Sequence, residues 1–325
     1  MRIKRSPLIL ESQGLPGKWK LFPVERLLVG AYCVLLVLSA AGGSRGLSVA
    51  PHLAIGLAVL FAGAGLLDPA SGPVARWLRE LLPLPLVLNI FQSLGKVITS
   101  VRATTYDPLL IASDRALLGH RLSSAIWTTT LPWPVTDLLT LAYTTFYVMP
   151  LVLFLWMVAR HHPHRQWVIT ALLATLLISY AGYVFVPAFG PRATVAADFY
   201  RSLPNGVVGG PIRHLLDTLE KTKVDAFPSG HVMITLLTLV FVQRYRPSWL
   251  WIYLPVASLL VAATVLLAYH YLTDVIAGAF LVPAGPLLAR LLFPGLAESP
   301  GVRAVPSAAG LGQTADSRTA PPPRD

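Results

Sequence analysis

Residues 249–292 read WLWIYLPVASLLVAATVLLAYHYLTDVIAGAFLVPAGPLLARLL. Two apolar runs, each near the ~20 residues a helix needs to cross a bilayer, meet at one polar element, His270-Tyr271-Leu272-Thr273-Asp274. Helices that are apolar all round belong in lipid or deep inside a large core, not on the half-wet surface of a small soluble domain. The pattern recurs along the chain. Apolar runs between charged or Pro/Gly punctuation fall at Val24–Ala41, Pro51–Leu67, Leu81–Ile98, Thr136–Val158, Gln166–Pro187, His231–Val242, Trp249–Ala268 and Tyr271–Leu292. Pro83 and Pro85 are expected to kink the third run or lay it in the interface. The His231 run is short.

Composition points the same way. Hydrophobic residues make up 54% of the 325 and charged ones 13%, about half the ~25% charged share of a soluble domain. The reading is an all-α, polytopic membrane helical bundle of about eight transmembrane helices. The net charge of +11 sits in short Lys/Arg clusters between apolar runs. That placement suits the inner membrane face and anionic lipid, and argues against a nucleic-acid partner. A single cysteine, Cys33, inside an apolar run leaves no intrachain disulfide and no Cys-based metal site. Met1–Gly17 is polar without an apolar core, so no cleavable signal peptide is expected.

Charge also predicts orientation. Arg2, Lys4, Arg5, Lys18, Lys20 and Arg26 assign the N-terminus to the cytoplasm. Eight spans then place Arg160–Arg165 and Gln243–Arg246 inside and both termini cytoplasmic. The Ala188–Phe227 loop and the turn at Tyr269 fall outside. Residues 1–23 read as a cytoplasmic segment, 24–98 as accessory transmembrane helices and 99–296 as the main membrane domain. Residues 297–325, rich in Pro, Ala, Ser, Gly and Arg, read as a disordered tail. His161, His162 and His164 lie in a basic turn and read as headgroup contacts. Trp127, Trp133, Trp167, Trp249 and Trp251 read as interfacial belts.

Two elements carry the chemistry. Phe227-Pro228-Ser229-Gly230-His231 opens a span with Pro and a capping Ser, the signs of a helix start. Free backbone N–H groups and the Ser hydroxyl there suit an anion such as phosphate. Gly230 permits close backbone approach, and His231 projects beside the cradle. In the second element a spacing of four predicts His270 and Asp274 on one helix face. The carboxylate would hold one imidazole nitrogen and leave the other free as a nucleophile. Arg192 emerges near the same membrane side, where its planar fork suits a phosphoryl group. Lys221 and Lys223 add positive charge just before the first element. Asp107 and Asp114 read as turn and cap residues or as lining of a substrate entrance.

Pro228-Ser229-Gly230-His231, followed by His270-xxx-Asp274, resembles the second and third signatures of the type 2 phosphatidic acid phosphatase superfamily. More narrowly, Gly190-Pro191-Arg192 and the stretch Tyr269 to Gly278 resemble the branch related to fungal inositol phosphorylceramide synthase. Tyr106-Asp107-Pro108, with Asp114 and Gly119, is similar to an element before the core helices of that branch. The resemblance covers roughly Tyr106 to Arg290 and implies a six-helix catalytic core. It makes His270 the nucleophile that forms a phosphohistidine, with Asp274 orienting it. His231 becomes the proton donor to the leaving alcohol and later activates water or an acceptor hydroxyl. Ser229, the Gly230 amide and Arg192 would stabilise the equatorial oxygens, with no metal or cofactor.

The chain departs from the pattern at two points. No Lys precedes the Pro191-Arg192 pair, and Ala263-Thr264 stand where the third signature carries Ser-Arg. Lys221 or Lys223 is the expected replacement for the missing cation. The resemblance implies a membrane lipid phosphate as substrate, such as phosphatidic acid or a polyprenyl phosphate, cleaved by water. Transfer to a hydroxylated lipid or sugar acceptor is the alternative, and a transporter or flippase of anionic lipids the third.

Overall fold

The computed structural model describes residues 20–129, 131–204 and 206–296. Arg2, Lys4, Arg5, Lys18 and the tail expected to be disordered lie outside the described residues. Helices α1 (Pro23–Ala41), α2 (Gly43–Leu47), α3 (Ala50–Leu66), α4 (Pro73–Leu81) and α5 (Pro83–Val101) precede α6 (Asp107–Ile126). Then follow α7 (Trp133–Ala159), α8 (Arg165–Phe185), α9 (Ala197–Ser202) and α10 (Gly209–Leu219). The series ends with α11 (Gly230–Tyr245), α12 (Leu250–Leu266), α13 (Leu272–Leu281) and α14 (Ala284–Leu292).

Seven helical stretches among the described residues are long and apolar enough to cross a membrane. The molecule is therefore an all-α, polytopic membrane bundle. Its outer surface carries apolar side chains such as Val37, Ile55, Leu88, Leu138 and Trp251, as a lipid-facing surface requires. The third expected span begins earlier than predicted, at Pro73, and runs to Val101. It breaks between α4 and α5, which puts Pro83 and Pro85 in the first turn of α5, where a missing N–H leaves no bond unmade.

The expected count of eight spans is corrected at α11. Its 16 residues extend about 24 Å, less than the ~30 Å of hydrocarbon core. Ile234, Leu237, Phe241 and Val242 are buried, because α7, α8, α12 and α13 surround the helix. Even so, α11 joins the two ends of the bundle. His231 meets His270 at one end, and at the other the Tyr245 ring lies 5.1 Å from that of His162.

No distinct six-helix core separates from the rest among the described residues. One cluster joins Leu28 and Tyr32 of α1, Leu53 of α3, Ile90 and Leu94 of α5, Phe154 of α7 and Leu173 of α8. A second joins α7 and α8 to α11, α12 and α14 through Leu153, Val168, Leu237, Leu260 and Ala289. Because α7 and α8 belong to both, the accessory helices share the core. Buried ion pairs lock the end opposite the histidines. Arg79 pairs with Glu25 at 2.6 Å and also donates to Gly63 O at 2.9 Å. Its neighbour Glu80 takes Arg165 and Gln166 of α8, each at 2.6 Å.

The segment expected as a loop at 188–227 is built up rather than open. A parallel bridge pairs Ala188 with Asp225, and Asp137 of α7 accepts from Val208 N and Gly209 N at the start of α10. Trp127 and Trp167 are buried inside the bundle, not in an interfacial belt.

Candidate active site

Two helix starts and one turn supply the site. Ser229 caps α11, its Oγ accepting from Val232 N at 3.4 Å. Gly230 sits where a Cβ would come within 2.6 Å of Tyr183 Oη, so the close approach expected there is required. His231 follows in the first turn of α11. His270 lies in the turn between α12 and α13, not on a helix face, because α13 begins at Leu272. Ala268 has φ +59° in this turn, and Thr264 O accepts from His270 N at 2.8 Å.

The turn changes how His270 is held. Its Nδ1 lies 2.8 Å from Ala226 O and 3.4 Å from Asp274 Oδ2. A carbonyl oxygen can only accept, so Nδ1 carries the proton and Nε2 keeps its lone pair. Asp274, fully buried, uses the same Oδ2 to accept from Tyr271 N at 2.8 Å and so caps α13. The nearest orienting group is therefore a backbone carbonyl, with the carboxylate behind it.

His270 Nε2 faces His231 Nδ1 at 3.3 Å. With the lone pair on Nε2, His231 Nδ1 is the donor, and the buried His231 Nε2 has no hydrogen-bond partner among the described residues. Phe146 and Tyr143 hold the His231 ring at centroid distances of 4.3 and 4.6 Å. Tyr143 stacks in turn on Tyr269 at 4.2 Å, and the Arg192 guanidinium lies 4.7 Å from the Tyr269 centroid. An aromatic stack thus links Arg192 to His231.

Arg192 sits in a short 3₁₀ turn, Pro191–Ala193. Gly190 before it has φ +85° and no room for a Cβ, which would stand 2.6 Å from Tyr269 O. Asp107 fixes this corner through Phe189 N, Gly190 N and the Tyr271 hydroxyl, at 3.0–3.1 Å. Asp114 caps α13 by accepting from Leu272 N and Thr273 N at 2.9 and 2.8 Å. Both carboxylates act as caps, but for segments far along the chain.

Carboxylates surround Arg192. Its Nη1 lies 3.5 Å from Asp217 Oδ1 and its Nη2 3.6 Å from Glu220 Oε2, with the side chain 10% exposed. Burial pulls the guanidinium down, but Tyr143, Asp225 and Glu220 outweigh it and hold it above its ordinary value. Burial pushes Asp225 up, opposed by Arg192, His270 and Lys223. Glu220 is likewise raised by burial against the pull of Arg192. Lys223 reaches Asp217 O at 3.0 Å, and burial lowers it. Lys221 is exposed. Sequence reasoning missed Asp217, Glu220, Asp225 and the Ala226 carbonyl. Asp225, two residues before Phe227-Pro228, was the available signal for the carboxylates; the backbone carbonyl left none.

Among the described residues no group of three or more His, Cys, Asp or Glu side chains is arranged to hold a metal ion. A model of the PAP2 superfamily matches residues 108–288, a stretch that includes both histidines and Arg192. No curated protein and no solved structure matches the chain.

Proposed function

Because the chain belongs to the PAP2 superfamily, whose members are phosphatase- and phosphotransferase-type enzymes, we propose that it hydrolyses lipid phosphomonoesters of the phosphatidic acid or polyprenyl phosphate type through a phosphohistidine on His270. The observation that carries this reading is the 3.3 Å approach of His270 Nε2 and His231 Nδ1, with His270 Nδ1 tied to Ala226 O. It supports a nucleophile with its lone pair free and a proton donor beside it. A phosphoryl group entering the site moves between the two rings. His270 Nε2 attacks phosphorus, the P–O bond to the lipid alcohol breaks, and His231, protonated on both ring nitrogens once the phosphate anion is bound, gives that alcohol one proton and is left as neutral imidazole. Water then attacks phosphorus, His231 takes a proton from it, and the N–P bond breaks to release phosphate. Ser229, the Gly230 amide and Arg192 stabilise the equatorial oxygens, with Lys223 and the exposed Lys221 adding charge. The site faces the outer side and both chain ends lie in the cytoplasm.

Transfer is the second reading, and the carboxylates favour it. Asp217, Glu220 and Asp225 stand around one arginine and one lysine, a balance that suits a monoanionic phosphodiester better than a dianionic monoester. This agrees with the narrower likeness to the inositol phosphorylceramide synthase branch and would use a hydroxylated lipid or sugar acceptor in place of water.

The test is phosphate release by detergent-purified protein, in chelator, from a panel of lipid phosphates. Release that disappears in His270→Ala is expected. No release from monoesters, with headgroup transfer from a phosphodiester donor to a hydroxylated lipid, replaces hydrolysis by the second reading. Neither activity overturns both.

A further inference from the structure

One apolar cavity differs in character from the histidine pair. It has a volume of about 490 Å³ and lies between α1, α5, α8 and the end of α14. Gly30 and Val34 of α1, Leu94, Tyr180 and Leu292 are among its walls. Arg26, Gly30 and Val34 follow a spacing of four and so share one face of α1. Gly30 makes room: a Cβ there would meet nothing within 4 Å. The cavity follows α1 from Arg26 to Leu38, about 18 Å at 1.5 Å per residue. One leaflet of hydrocarbon is about 15 Å deep, so the length fits a single lipid chain.

The charge at one mouth selects the lipid. Arg26 lines the cavity, is exposed and has no carboxylate partner among the described residues. Arg26 follows Glu25, whose pair with Arg79 lies at the bundle end opposite His231 and His270. Leu292 and Phe293 reach the same end just after Arg290, which lies over Trp167. A cation at the mouth of an apolar groove between transmembrane helices matches an anionic headgroup with its chain running inward.

We propose that this groove binds one chain of an anionic phospholipid from the leaflet on the Arg26 side, with the lipid phosphate on Arg26. The site is separate from the catalytic one, and its occupant is a resident lipid rather than a substrate. Residues 1–19 of the chain are the rival occupant.

Full-length protein in detergent is titrated with phosphatidylglycerol and with phosphatidylcholine. The readouts are bound lipid by native mass spectrometry and the thermal unfolding midpoint. Phosphatidylglycerol is expected to be retained and to raise the midpoint at lower concentration than phosphatidylcholine. Arg26→Gln should weaken phosphatidylglycerol about fivefold, the effect of one cation near a membrane surface, and leave phosphatidylcholine unchanged. Gly30→Leu fills the groove with a better helix former and should abolish retention of both lipids without lowering the lipid-free midpoint. Equal binding of the two lipids, or undiminished retention in Gly30→Leu, overturns the proposal. So does a gain in affinity of tenfold or more on deleting residues 1–19, which would identify that segment as the occupant.

Discussion

At the scale of single residues, the imidazole of His270 is held by a backbone atom that has no signature of its own. The histidines and Asp274 were legible because ionisable groups at membrane depth are costly and rarely idle. Their geometry was not. A positive φ at Ala268 takes His270 off the helix, and the Ala226 carbonyl comes from 44 residues away. This arrangement predicts unequal variants. His270→Ala should lower kcat at least about 10⁴-fold, as loss of a covalent nucleophile does. Asp274→Asn should cost about 10- to 100-fold, the range for an outer orienting partner, because Ala226 O still fixes the tautomer. An asparagine oxygen can also still accept from Tyr271 N, so the unfolding midpoint should not move. A loss in Asp274→Asn as large as in His270→Ala would make the carboxylate the true orienter. The carboxylates near Arg192 give a second prediction. Glu220 and Asp225 bind protons more tightly folded than unfolded, since burial raises both. Stability should therefore fall as pH rises from the ordinary carboxylate range through their raised values. Glu220→Gln should flatten that slope, which unfolding midpoints measured across pH would record.

At the scale of elements, the apolar runs located most helices, since twenty apolar residues in sequence leave little choice but a span. What they could not give is how the helices are tied together. The adjacent Arg79 and Glu80 on α4 point to different partners, Glu25 of α1 and Arg165 of α8, and no local pattern announces a pair 54 residues apart. Asp114 and Asp137 likewise cap helix starts that lie far along the chain. These ties predict a specific asymmetry. Arg79→Leu alone strands the fully buried Glu25 carboxylate and should destabilise by about 3–5 kcal/mol. Replacing both partners by leucine removes the stranded charge and should recover most of that loss. Unfolding of the three proteins in detergent decides it. A double variant no more stable than Arg79→Leu would shift the weight to the bonds Arg79 makes to Gly63 O and Lys20 O.

At the scale of the whole molecule, length and threading disagree, and the disagreement has a physical source. Seven stretches meet the length of a bilayer, yet α11 also carries the chain from the His231 end to the Tyr245 end. A helix packed against four others need not match the hydrocarbon thickness, because most of its length is buried in protein rather than facing lipid. Counting α11, the chain returns to the end where it started. Arg26 near the start of α1 and Phe293 just after α14 accordingly line one cavity. The proposed orientation, which rests on the positive-inside tendency, has that end in the cytoplasm and the histidine pair outside. Cys33 is the single cysteine, so a Cys33→Ser background permits a direct assay. A membrane-impermeant maleimide applied to intact cells should label His214→Cys, exposed on α10 at the histidine end. Arg160→Cys, exposed at the other end, should react only after permeabilisation. The reverse pattern inverts the bundle and turns the site towards cytoplasmic substrates. Labelling of both positions in intact cells would place both ends of α11 on one side, and the short helix would then not connect the two faces at all.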